Sequence, residues 1–201
     1  MLNFAAPLDL LQPYLPAGLE ADLFQGQVLL SVVGFRFENA RLLGWSVPCH
    51  RHFDEVNLRF YVKRTLGEEV RRGVVFIKEL VPRRLIAWVA RRCFNENFHR
   101  LPLRSDIVLP GGGQPGWVEY AWRQGQRWQS LRAAIAGAPR LPPPGSEAAF
   151  VAEHYFAYPR QRDGRTLEYH VEHPPWRIWP ATAYNFDADP ASLYGPEFAG
   201  P

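Results

Sequence analysis

Lysine is almost absent from this chain. Of 23 lysine and arginine residues only Lys63 and Lys78 are lysines, and arginine stays protonated in proteins, so two side chains at most can act as an amine nucleophile or amine base. Cysteine is as sparse. Cys49 and Cys93 share no metal or redox spacing, which excludes a disulfide scaffold and points to a reducing, cytoplasmic setting. The longest apolar runs, such as residues 28–35, fall far short of a bilayer span, and Met1-Leu2-Asn3-Phe4 carries no basic leader region. No membrane association is expected. A net charge of only +3 gives no reason to expect nucleic-acid binding. The glycine run 111–113 is followed by neither lysine nor serine, so it is not a phosphate loop.

What is present is β-forming sequence cut into short pieces. Aromatic residues make up 14%, and 19 prolines and 16 glycines punctuate the chain, a pattern that favours a β-rich fold. At 201 residues and 47% hydrophobic, one well-packed domain spanning 1–201 is expected. The cleanest alternation lies at 52–63. As a strand it places Glu55, Asn57, Arg59, Tyr61 and Lys63 on one face and Val56, Leu58, Phe60 and Val62 on the other. A face with an acid, an amide, a guanidinium, a phenol and an amine is either solvated or the floor of a polar pocket.

Around it, residues 7–15 read as a short helical turn, and 27–37 as a strand buried on both faces. Residues 65–72 read as a hairpin connection containing Gly67, with 73–81 as the partner strand. Residues 82–94 predict an amphipathic helix opened by Pro82, whose outer face carries Arg83, Arg84, Trp88, Arg91 and Arg92. A hairpin is expected from 117–122 and 127–133, turning around Gln124-Gly125, and 139–145 is a proline-rich loop. A second hairpin, 152–158 with 166–173, is expected around a type I′ turn at Asp163-Gly164, placing His154 opposite His173. With Glu153, Glu172, His50 and His52 these histidines raise the question of a metal, but no spacing is a ligand signature and aromatic cross-strand packing explains the same residues, so neither metal nor cofactor is expected. The closing residues 193–201 show no capped element.

Four segments together carry a family resemblance: Leu15-Pro16-Ala17-Gly18-Leu19, Phe53-Asp54-Glu55-Val56-Asn57-Leu58-Arg59, Glu153-His154-Tyr155 with Glu168-Tyr169, and Glu172-His173-Pro174-Pro175-Trp176. They resemble the YqjF-like bacterial family, a domain of unknown function similar to the acetoacetate decarboxylase-like superfamily. The resemblance implies a mainly β (α+β) fold, a strongly curved antiparallel β-barrel or cone with a few short helices and an interior pocket. It also implies that terminal strands of the family are lacking at both ends of this chain. Glu55 matches a pocket glutamate of the decarboxylases. Their Schiff-base lysine falls at about 94–97 here, where the residues are Phe94-Asn95-Glu96-Asn97, so ordinary acetoacetate decarboxylase activity is not implied.

The residues then support a protein that binds or transforms a small carboxylate or carbonyl compound. Glu55 is the acid or base, Lys78 an amine from the neighbouring strand, Arg59 the anion clamp, and Asn57 and Tyr61 hydrogen-bond donors. Glu153, His154 and Tyr155 are further candidate ligand-binding positions. The alternatives are a non-catalytic ligand- or partner-binding β-barrel module, and a purely structural role in which Glu55 and Arg59 each take a cross-strand partner. Homo-oligomerisation is left open.

Overall fold

A computed structural model of the chain describes residues 1–38, 41–42, 45–46, 52–83, 88, 97–161, 163–171 and 174–199. The alternation at 52–63 is the middle of its longest strand. In chain order the strands are β1 (Leu2–Ala6), β2 (Glu20–Ala21), β3 (Leu23–Phe24), β4 (Gln27–Phe37), β5 (Arg41–Leu42), β6 (Trp45–Ser46), β7 (Phe53–Leu66), β8 (Glu69–Val81), β9 (Phe98–Arg100) and β10 (Leu103–Val108). There follow β11 (Gly116–Gln124), β12 (Arg127–Ile135), β13 (Phe156–Ala157), β14 (Tyr169–His170) and β15 (Ala181–Asp187), with short helices α1 (Leu8–Leu11), α2 (Glu147–Ala152) and α3 (Pro190–Tyr194).

The β7–β8 hairpin organises the rest. Leu66 pairs with Glu69, leaving Gly67-Glu68 as a two-residue turn, and the φ of +62° at Gly67 is the left-handed conformation that such a turn demands. A nine-stranded sheet grows from it in the order β1-β4-β7-β8-β13-β14, with β2, β3 and β9 at its margins. Most pairings are antiparallel, but β13 and β9 each run parallel to β8. A four-stranded antiparallel sheet, β10-β11-β12-β15, packs on one side of it. Among the described residues the larger sheet runs from β1 to β14 without the two meeting. The fold is thus mainly β with few helices.

Both sides of β7 are buried. Val56, Leu58, Phe60 and Val62 join Val28, Leu30 and Val32 of β4 and Tyr120, Trp122 and Leu131 of the smaller sheet in the main core. On the other side, Tyr61, Leu29 and Val74 pack against Phe150 and Val151 of α2. This accounts for the near-continuous apolarity of β4, whose residues alternate between two cores. The sheets touch closely at Gly34, where a Cβ would lie 2.5 Å from the Tyr120 ring.

Four expectations need correction. The connection read at 65–72 narrows to Gly67-Glu68, because β7 runs on to Leu66 and β8 begins at Glu69. The segment read as a strand from residue 152 starts in helix α2, whose N-cap Ser146 accepts a hydrogen bond from the Ala149 amide at 3.2 Å. The loop around Asp163-Gly164 is wider than a two-residue turn. The Gly164 amide bonds the Gln161 carbonyl and the Gln161 amide bonds the Arg165 carbonyl, so Phe156 pairs with His170 and Ala157 with Tyr169, one residue out of the expected register. The chain end also contains a capped helix, α3, with Asp189 Oδ1 accepting from the Ser192 amide at 3.1 Å. The expected helix 82–94 lies outside the described residues except for Pro82, Arg83 and an exposed, helical Trp88. His50, Cys49, Cys93, Glu172 and His173 also lie outside them.

Candidate functional site

From Glu55 to Tyr61 the polar side of β7 is largely withdrawn from solvent. Glu55 is 1% exposed, Asn57 0%, Tyr61 0% and, from the next strand, Glu79 3%. Their neighbours follow from the register: Glu55 pairs with Phe35, Asn57 with Val33 on one flank and Glu79 on the other, and Arg59 with Ser31 and Phe76. Directly paired residues of an antiparallel ladder project to the same side, so Glu55, Asn57, Glu79 and Arg59 form one polar group. It is closed at one end by Phe53 with Phe37, Val81 and Phe98, and at the other by Tyr61 with Phe150 and His154.

Within this group the Asn57 Nδ2 donates to Glu55 Oε1 at 2.9 Å. A carboxylate oxygen only accepts, which orients the amide and leaves the Asn57 carbonyl oxygen pointing away. That Oδ1 and the Arg59 Nε, both shielded from solvent, have no hydrogen-bond partner among the described residues. The Arg59 guanidinium lies 5.7 Å from the Tyr61 ring centroid and forms no ion pair among the described residues. A half-buried cation without a counter-ion, next to a buried unsatisfied acceptor, is unusual for a structural position.

Lys78 is not part of this group. The hairpin turn alone would set Asn57 opposite Lys78, but the ladder slips between Leu58 and Arg59, with Arg59 opposite Phe76 and Leu58 opposite Lys78. Ile77 is the extra residue of the resulting bulge, and a one-residue slip exchanges the sides of everything beyond it. Lys78 therefore turns toward the main core, where its Nζ donates to the Leu193 carbonyl and burial pushes its pKa down. Glu79 takes the place beside Asn57 that Lys78 was expected to approach. Glu79 carries no sequence signal for this place, since nothing local in residues 73–81 announces a bulge.

The remaining expected residues lie at the margin of this group or outside it. The Tyr61 hydroxyl is engaged with Ser31 Oγ at 2.8 Å. His154, at the end of α2, holds the Phe150 carbonyl oxygen at 2.8 Å from Nδ1 and Asp22 Oδ2 at 3.1 Å from Nε2. Arg72 Nε donates to the same Asp22 oxygen at 2.6 Å. Burial works to raise the Asp22 pKa, yet the hydrogen bonds from His154 and Arg72 hold it at about 2; burial lowers the His154 pKa, with Asp22 opposing. This triad braces the Tyr61 end of the site. Glu153 is exposed, and Tyr155 is half-buried with its amide bonded to the Arg72 carbonyl.

A cleft of about 500 Å³ opens at the start of β7, lined by residues that include Arg36, His52, Phe53, Asp54 and Arg83. Its wall is tied together by Arg36 Nε donating to Asp54 Oδ1 at 2.8 Å and the Ser105 hydroxyl donating to Asp54 Oδ2 at 2.8 Å. Phe53 is the residue shared by this cleft and the polar side of β7. Among the described residues no group of three or more histidine, cysteine or acidic side chains is placed to hold a metal, and no helix is long and apolar enough to cross a membrane.

The whole arrangement has known relatives in fold. Acetoacetate decarboxylase from Legionella pneumophila subsp. pneumophila str. Philadelphia 1 superimposes with a TM-score of 0.57 at 13% identity, over 96% of this chain and 73% of that one. The enduracididine biosynthesis enzyme MppR, complexed with pyruvate, superimposes with a TM-score of 0.54 at 13% identity, over 92% of this chain and 73% of that one. At such identity the likeness is one of fold, which is therefore acetoacetate decarboxylase-like. No curated protein matches the sequence. Residues 1–201 match DUF2071, described as an uncharacterized conserved protein (COG2071), and the chain belongs to that family.

Proposed function

We propose that this chain binds a small carboxylate or carbonyl compound on the polar side of β7 and acts on it by proton transfer. The observation that carries this reading is the Arg59 guanidinium, half-buried and without an ion pair among the described residues, which is the natural clamp for a carboxylate. Glu55, held by Asn57, is the acid or base. The neighbour MppR was seen with pyruvate, a ligand of the right size and charge. The reading includes the curved barrel or cone of the superfamily, with the polar side of β7 facing its interior.

An imine mechanism is not part of the proposal. The chain has two lysines; Lys78 lies on the other side of the sheet, and Lys63, 38% exposed, is paired with Glu20 at 3.6 Å beyond Tyr61. Borohydride treatment with a panel of keto acids should therefore label neither lysine.

Titration calorimetry of the full chain with short carboxylates tests the reading. Binding is expected in the wild type, with a loss of at least about tenfold in Arg59→Gln, since a charge-assisted hydrogen bond is worth more than 1.4 kcal/mol. Equal affinity in wild type and variant overturns the proposal. Glu55→Gln should retain binding and lose turnover; a wild type that binds without turning over any compound of the panel reduces the function to binding.

A further inference from the structure

The carboxylate clamp has a neighbour that narrows the ligand further. Asn57 and Arg59 project to the same side of one strand, two residues and thus about 7 Å apart. The Asn57 amide is completely buried and its orientation is fixed by Glu55. With its nitrogen committed to Glu55, what it still offers is an acceptor, Oδ1, that receives no donor from the described residues. Leaving such an acceptor empty in a buried setting is costly. The Arg59 Nε offers the opposite, a shielded donor lacking an acceptor among the described residues. A ligand carrying an acceptor and a donor on neighbouring carbon atoms offers each of these two atoms a hydrogen bond of about 2.9 Å.

We propose that Asn57 and Arg59 together select a 2-hydroxycarboxylate: the carboxylate on the Arg59 guanidinium, the hydroxyl donating to Asn57 Oδ1. This rests on the carboxylate-binding reading above and adds to it the identity of the second group. A 2-keto acid presents a carbonyl oxygen at that place, so two acceptors face each other and the Asn57 oxygen stays unsatisfied. A plain alkanoate presents a methylene, with the same deficit. An ammonium would donate but would add a further cation beside Arg59, whose charge the buried Met1 ammonium already feels.

Lactate, pyruvate and propionate differ at that one position and make the test. Calorimetry on the full chain should give lactate an affinity at least about tenfold above both others, since sites that bond a ligand hydroxyl discriminate strongly against analogues lacking it. In Asn57→Ala the advantage of lactate should vanish while all three still depend on Arg59. Equal or tighter binding of pyruvate, lost in Arg59→Gln, overturns the hydroxyl assignment and leaves the carboxylate clamp standing. Absence of binding by all three, or binding indifferent to Arg59→Gln, overturns both, and the two polar atoms are then served by a resident water alone. The wild-type series decides the matter even where Asn57→Ala does not fold.

Discussion

Asp22 spends one oxygen on two partners. Its Oδ2 takes both the Arg72 Nε and the His154 Nε2, while its amide bonds the Tyr61 carbonyl, so a single residue ties β7, β8 and the segment just after α2 together at the Tyr61 end of the site. Its pKa of about 2 lies below the ordinary 3.8. A carboxyl depressed in the folded state stabilises above its unfolded pKa and loses that contribution as pH falls toward the folded value. The melting temperature should therefore drop as pH falls from about 4 to 2, and Asp22→Asn should be less stable at pH 7 by on the order of 1–2 kcal/mol, given partial solvent screening. The gap between wild type and variant should close at the acid end; a constant gap in pH-dependent melts contradicts the assignment. Nothing local foretold this contact. His154 and Asp22 are 132 positions apart, and sequence periodicity speaks only of neighbours on one element. By contrast the shared side of Glu55, Asn57 and Arg59 was readable, because strand alternation is local and the residues are adjacent in the pattern.

At the scale of elements, strands were legible and phase was not. β4, β7, and the β11–β12 hairpin follow their alternation and their turn glycines closely, as does the short helical turn at α1. Phase depends on partners: the bulge at Ile77 reverses which of Lys78 and Glu79 lies beside Asn57, and no residue of β8 alone reveals it. Lys78→Met should accordingly leave carboxylate affinity and its Arg59 dependence unchanged in calorimetry, whereas a loss of binding would return Lys78 to the site. Helix α2 was missed although its signal was present: Ser146 followed by Glu147-Ala148-Ala149 opens a run of good helix formers. Removing that cap in Ser146→Ala should cost about 1 kcal/mol in denaturant unfolding, because α2 supplies Phe150 and Val151 to the core behind Tyr61.

For the molecule as a whole, the decisive contact is between sheets. Gly34 sits opposite Val56 on the main-core side and leaves the space that the Tyr120 ring fills. In Gly34→Ala the new methyl meets ring atoms at 2.5 Å, so the sheets must part locally, and a loss of about 1–3 kcal/mol is expected in chemical denaturation. An unchanged midpoint would mean that the sheets slide freely there. With a core on each side, the large sheet is a partition between two rooms, and strand parity is the address of every side chain. Lys78 and Glu79, consecutive in sequence, live in different rooms. Shifting the unpaired residue of β8 past them would trade the acid beneath Asn57 for an amine, so the fold can exchange the ionisable group of this site by an insertion and a deletion in one strand, with every side chain of β7 left as it is.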